Sequence, residues 1–334
     1  MLDGSLLLII TVVILALAFD YINGFHDTAN AIATSISTRA LTPRMAIVLA
    51  ASMNLIGALT FTGVAKTIGK GIADPFVLNN GMWIVVAAML SAIIWNLATW
   101  WFAIPSSSSH ALIGSLVGAV IAAAGFSAVN VDGFLQIIKS LIFSPIIALV
   151  LGFLIMLSML WLFRNFAPAK MTRNFRTFQI FSAAFQAFMH GTNDAQKAMG
   201  VITFALIAGD FQTTNDIPLW VKIAAALAMA AGTASGGWRI IRTVGRGIIK
   251  IQPVNGFAAD FTSSIVILVA TLFKLPVSTT HVISSAIMGV GAAKGFNKVK
   301  WDVAGKIVMT WIITLPITAV LSALTYWFLS LFFF

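Results

Sequence analysis

Apolar residues run along this chain in blocks far longer than an amphipathic repeat would need. They cover roughly residues 5–38, 45–65, 82–104, 106–126, 134–163, 177–209, 219–238, 255–275, 277–293 and 303–332. One bilayer crossing takes about 20 such residues. In lipid only helices or closed barrels satisfy the backbone, and the two-residue alternation of barrel strands is missing. The pattern therefore predicts membrane-spanning helices. Blocks 5–38 and 177–209 exceed a simple span: at 1.5 Å per residue each reaches about 50 Å, against about 30 Å of hydrocarbon. Each also carries a polar, Gly-bearing interruption, Asp20-Tyr21-Ile22-Asn23-Gly24-Phe25-His26-Asp27 and Met189-His190-Gly191-Thr192-Asn193-Asp194. Both are expected to be broken helices. The N-terminal block has no basic segment before it and no small-residue cleavage site after it, so it reads as the first span and not a removed signal peptide.

Composition narrows the class. The chain has 334 residues, 60% hydrophobic and 9% charged, with a mean hydropathy of +0.99. A soluble domain carries about 25% charged residues, so a soluble enzyme is excluded. With no cysteine, disulfides and thiolate metal sites are excluded too. The formal net charge is +10 and every acid is Asp. The excess base reads as the cytoplasmic bias of loop Lys and Arg, with no nucleic-acid partner implied.

The chain repeats itself. Asn23-Gly24-Phe25-His26-Asp27-Thr28-Ala29-Asn30-Ala31 aligns with His190-Gly191-Thr192-Asn193-Asp194-Ala195-Gln196-Lys197-Ala198 at an offset of 167. Lys66 to Ile72 aligns with Arg242 to Ile248 at 176, and Pro105-Ser106-Ser107-Ser108-Ser109-His110 with Pro276-Val277-Ser278-Thr279-Thr280-His281 at 171. The expected organisation is a first repeat over 1–166, a short basic cytoplasmic linker over 167–176, and a second repeat over 177–334. Five crossings in the first half would invert the second. With the N-terminus outside, 14 of the 20 basic residues fall in inside loops (Arg39, Arg44, Arg164, Lys170, Arg173, Arg176, Arg239, Arg242, Arg246, Lys250, Lys294, Lys298, Lys300 and Lys306). Five fall outside (Lys66, Lys70, Lys139, Lys222 and Lys274), and Lys197 stays in the membrane. The bias favours this orientation, with both termini outside. The fold expected is an all-α polytopic membrane protein of two inverted repeats, with broken helices and two helical hairpins with Ser/Thr-rich tips. That is an architecture of secondary transporters, with their sites near the midplane. Segments 82–126 and 255–293 could each be two full spans or a helical hairpin; their nearly uncharged Ser/Thr-rich tips favour hairpins with the tips buried in the protein.

Four Asp fall inside apolar blocks: Asp20, Asp27, Asp194 and Asp260. Such carboxylates cost about 2.5–3.5 kcal/mol on insertion scales and are usually functional; the plainer alternative is a salt bridge or helix cap. Asp27 and Asp194 occupy matching positions. All four histidines, His26, His110, His190 and His281, sit in the repeated motifs. His26 and His190 could relay protons beside the aspartates. The clusters Ser106, Ser107, Ser108, Ser109 and Ser278, Thr279, Thr280 read as oxyanion ligands, because a helix N-terminus and hydroxyl donors together suit an anion. Lys197 either pairs with Asp194 or meets the anion. Asn23, Asn30 and Asn193 flank the aspartates, and amide oxygens with a carboxylate make a hard-cation site; Asp27, Asp194 and Asn30 are its candidate ligands.

These residues resemble the paired signature of the inorganic phosphate transporter (PiT) family, roughly G-A-N-D-V-A-N-A. Gly236 to Gly245 and Gln252 to Asp260 are similar to further family segments. The resemblance covers nearly the whole chain and is closest to short bacterial members without the large cytosolic insert. It implies a plasma-membrane symporter of a bacterium that imports inorganic phosphate, with arsenate as an analogue, driven by H⁺ or Na⁺. It also implies a phosphate site built from the two signatures and the serine-rich tips. His26 stands where the general signature has Asn, as in proton-coupled members that carry metal–phosphate complexes, so a divalent metal carried with phosphate is a further expectation. Lys197 and Asp260 also depart from the general Asn or Ala and Glu. No resident cofactor is expected; a homodimer is an expectation about assembly only. A sulfate permease of the same family, an anion channel and an intramembrane hydrolase are the alternatives weighed.

Overall fold

The computed structural model describes residues 4–74, 78 and 80–333. Among the described residues there are twelve α-helices, two 3-10 turns and no strand. The first six are α1 (Gly4–Ser37), α2 (Pro43–Thr60), α3 (Gly63–Gly71), α4 (Gly81–Trp101), α5 (Ser108–Ala124) and α6 (Val131–Leu162). The second six are α7 (Pro168–Ala208), α8 (Leu219–Ser235), α9 (Trp238–Gly247), α10 (Pro253–Leu272), α11 (Thr279–Ala293) and α12 (Trp301–Phe333). The order of long and short helices is the same in both runs, and a 3-10 turn precedes both α6 and α12. Six helices, α1, α2, α4, α6, α10 and α12, are long and apolar enough to cross a membrane. The chain is a multi-pass membrane protein.

Two sequence expectations are corrected here. The interruptions do not break their helices: α1 runs unbroken for 34 residues and α7 for 41. Their glycines serve helix contact instead. A β-carbon at Gly24 would lie 2.4 Å from the Met229 carbonyl oxygen, and one at Gly191 would lie 2.3 Å from that of Asn54. Asn23, His26, Asp27, His190 and Asp194 find side-chain partners on neighbouring helices, so the backbone need not open. The second correction concerns 167–176, which is not a linker loop. Pro168 starts α7 at the position where its missing N–H costs nothing. Lys170, Arg173 and Arg176 are exposed, which lets the helix continue beyond the apolar layer.

α1 and α7 lie antiparallel. Thr38 near the end of α1 donates to Gln179 near the start of α7 at 2.6 Å, and Asn23 donates to Asp194 further along at 3.5 Å. Two apolar cores flank this crossing. One gathers Ile9, Val12 and Phe19 of α1 with residues of α4, α5 and the end of α7. The other gathers Ala31, Ile32 and Ala33 of α1 with Ala187 and Met189 of α7 and residues of α10 and α11. Each long helix thus passes from one core to the other, and its polar residues fall between them.

α4 and α5, and likewise α10 and α11, form hairpins. Phe102 and Phe273 at the start of the connections are exposed, whereas Ser106 to Ser109 and Ser278 to Thr280 are buried. Ser107 caps α5 by accepting the His110 N–H, and Ser278 caps α11 by accepting that of His281. The two helix starts meet. The His110 and His281 rings lie 4.4 Å apart, and Ser109 Oγ donates to the Val277 carbonyl at 2.9 Å.

Candidate functional site

The site forms where the α1–α7 crossing meets the two hairpin tips. Asp27 and Asp194 point into it, 2% and 0% exposed. Asp27 Oδ2 accepts from Ser108 Oγ at 2.8 Å and Oδ1 from Thr280 Oγ1 at 3.0 Å. Asp194 Oδ2 accepts from Thr279 Oγ1 at 3.1 Å. Its Oδ1 pairs with Lys197 Nζ at 2.6 Å. Of the two sequence readings for Lys197, this conformation shows the ion pair. Asn30 Nδ2 donates to Thr280 Oγ1 at 2.9 Å, which continues the chain of donors to Asp27.

The histidines complete the cluster. His26 Nδ1 lies 3.0 Å from Asp27 Oδ1, and its Nε2 meets Thr99 Oγ1 at 3.1 Å. His190 Nδ1 lies 3.0 Å from Asn54 Oδ1, so that nitrogen carries the proton. Nε2 lies 3.3 Å from Asp194 Oδ2 and is not aligned as a hydrogen bond. Asp27, His190 and Asp194 offer ligand atoms that all lie within 4.8 Å of one another. Carboxylate and imidazole together suit a divalent ion.

Not every expected residue joins the cluster. Ser106 donates to Thr99, Ser107 and Ser278 cap their helices, and Ser109 ties the tips together. Asn193 clamps the second tip: its Oδ1 accepts the Val277 N–H, and its Nδ2 reaches Thr271 Oγ1 and the Leu275 carbonyl. Asp260 sits at a separate station, where Thr34 Oγ1 reaches both carboxylate oxygens at 2.7 and 2.9 Å and Ser182 adds a 3.4 Å contact.

Some partners escaped the sequence reading. Asn54 orients His190 and also donates to Thr233 at 2.8 Å. It stands in the apolar block 45–65, a signal that could have exposed it. Gln196 accepts the N–H groups of Val64 and Ala65 at the start of α3. Thr99, seven residues before Ser106, had no such signal.

The arrangement offers carboxylates that accept, hydroxyls that accept or donate, and a buried ammonium, all at two helix starts. Comparisons with known proteins identify the family. A family model described as "Phosphate transporter family" matches residues 23–322. A Bacillus subtilis (strain 168) protein described as "Probable low-affinity inorganic phosphate transporter" is 58% identical over 99% of this chain and 100% of its own length. A Rhizobium meliloti (strain 1021) protein of the same description is 45% identical over 96% of each chain. The solved structure of "The sodium-dependent phosphate transporter" superposes with a TM-score of 0.87 at 26% identity, covering 97% of this chain and 99% of the other. Transport, not enzymatic turnover, is the class these share, and the chain belongs to the phosphate transporter family.

Proposed function

We propose that this chain is a secondary active symporter that imports inorganic phosphate across the plasma membrane, coupled to H⁺ or Na⁺. It works by alternating access around Asp27 and Asp194 as the centre of two inverted repeats. The observation that carries the reading is the convergence of Ser108, Thr279 and Thr280, from the starts of α5 and α11, on carboxylates of the antiparallel pair α1 and α7. In this conformation the hydroxyls donate to the carboxylates, so phosphate would enter by exchanging those bonds. Its P–OH protons would donate to Asp27 and Asp194, and its other oxygens would accept from the hydroxyls and from Lys197. Sulfate at neutral pH has no such proton, and two ionised carboxylates repel it. A divalent metal would travel as substrate with phosphate, on Asp27, His190 and Asp194. His26 and His190 favour H⁺ as the driving ion, because each lies against one of the aspartates.

Competition tests this reading. Proteoliposome uptake of labelled phosphate should be inhibited by arsenate. Sulfate should compete at least about tenfold more weakly, because an unpaired buried group costs roughly 1–3 kcal/mol. Inhibition by sulfate at equal concentration would instead favour a sulfate permease. Non-saturating flux without a co-ion would favour a channel.

A further inference from the structure

The transport reading leaves two buried acids unused, Asp20 and Asp260; Asp260 has donors in Thr34 and Ser182, and Asp20 has none. Asp20 precedes Asn23 by three residues and Asp27 by seven, so the three share a face of α1. Asn23 donates to Asp194, which turns that face toward α7. Asp20 is 0% exposed, and neither of its carboxylate oxygens has a hydrogen-bond partner. The Oδ1 of Asn23 is buried and unpartnered as well. The donors of the hairpin tips go to Asp27 and Asp194 and not to Asp20.

The charges that act on Asp20 are those of Asp194 and Lys197, both on α7. Among the other helices packed on α1, α4 carries no titratable residue, α8 has Lys222 in its first turn and α2 has Arg44 at its start, while α9 (Arg239, Arg242, Arg246), α10 (Asp260) and α11 (His281) meet α1 beyond Asn23. Asp20 therefore makes no salt bridge and caps no helix. A buried ionised carboxylate with no protein donor is among the least favourable groups a protein interior can hold. A metal ion would want about six oxygen ligands, and among the described residues Asp20 does not join the group of possible metal ligands, Asp27, His190 and Asp194. A proton needs one carboxylate oxygen.

We propose that Asp20 is a proton-binding station of the transport cycle, separate from the phosphate site. It holds a proton while Lys197 is paired with Asp194. Asp20 keeps this proton, taken from water on the outer side, while the arriving anion draws on Asp194 and Lys197 and the protein reopens inward. The Asp20 O–H bond then breaks, its electron pair stays on the carboxylate, and the proton leaves to water on the inner side. One proton so moves with the anion, and no oxidant or reductant takes part. The proposal rests on the phosphate-transport reading above.

The test uses purified full-length protein and Asp20→Asn, which keeps the shape and removes the titrating group. In vesicles, proton-driven accumulation of labelled phosphate should be lost. Exchange of labelled for unlabelled phosphate without any gradient should be retained. In the infrared spectrum, the carbonyl stretch of a neutral carboxylic acid, shifted by D₂O, should lose one component band in the variant, Asp260 being retained. A variant that accumulates phosphate like the wild type overturns the proposal. So does one that loses exchange along with accumulation, since Asp20 would then belong to the phosphate site or to the fold. If the wild type moves no phosphate at all, the transport reading fails on its own. The infrared band then decides Asp20 separately: loss of the band in the variant supports a bound proton, and an unchanged spectrum overturns it.

Discussion

Thr280, at the start of α11, places its hydroxyl 3.0 Å from the Asp27 carboxylate on α1, 253 residues earlier in the chain. The same oxygen accepts from Asn30 at 2.9 Å. One hydroxyl therefore couples the second hairpin to the first signature. Thr280→Val keeps the shape and removes the donor. The variant should insert normally and lose phosphate uptake by about one to two decades, the equivalent of roughly 1–3 kcal/mol for an unpaired buried group. Initial-rate uptake against phosphate concentration is the check, and wild-type kinetics would remove Thr280 from the site.

Asp27 and Asp194 match in sequence but not in surroundings. Only Asp194 pairs with a buried ammonium, that of Lys197, which is 1% exposed. Removing one partner of a buried pair costs roughly 3–5 kcal/mol, because the other charge is left uncompensated. Asp194→Asn should therefore lower the melting temperature in detergent more than Asp27→Asn does. The double variant Asp194→Asn with Lys197→Gln should regain much of the loss. Equal melting of the two single variants would show that the pair contributes little to the fold.

Gly191→Ala separates the two roles a glycine can have in a helix. If Gly191 served to loosen α7, alanine would stabilise the helix by up to about 1 kcal/mol. In the structure an added β-carbon would meet the Asn54 carbonyl oxygen at 2.3 Å. Alanine should instead destabilise by roughly 1–3 kcal/mol, as overpacking does. It should also disturb His190, whose partner is Asn54. Thermal melting decides the sign.

That difference shows what was legible in the sequence. The two signatures and the Ser/Thr clusters could be located because each occurs twice, at nearly one offset. The side chains that converge, Asp27, Asp194, Ser108, Thr279 and Thr280, all lie within those repeats. The helix breaks were misread because Gly and polar residues mark a break and a tight helix contact alike; only the neighbouring chain tells them apart. The roles within each cluster were hidden for a similar reason. Ser107 and Ser108 are adjacent and identical, yet one caps α5 and the other reaches Asp27. Helix phase at the tip makes that choice, and composition carries no record of it. The helical form of 167–176 is not legible in its charge, which an exposed helix end tolerates as well as a loop does.

Topology can be tested on the same chain, because it has no cysteine to interfere. Positions 74 and 250 are both exposed. A cysteine at 74 should react with an impermeant reagent added outside, and one at 250 only from inside. Labelling of both from one side would refute the inverted arrangement.

The most direct measurement is accumulation of labelled phosphate by Na⁺-free proteoliposomes under an inward proton gradient, for the wild type and for Asp27→Asn. Asp27 has three partners at 2.8–3.0 Å in the buried cluster, Ser108, Thr280 and His26, so its charge stands at the centre of the account. The account predicts that the wild type concentrates phosphate and that the variant, purified in the same folded form, does not. Accumulation by Asp27→Asn at the wild-type rate would contradict it.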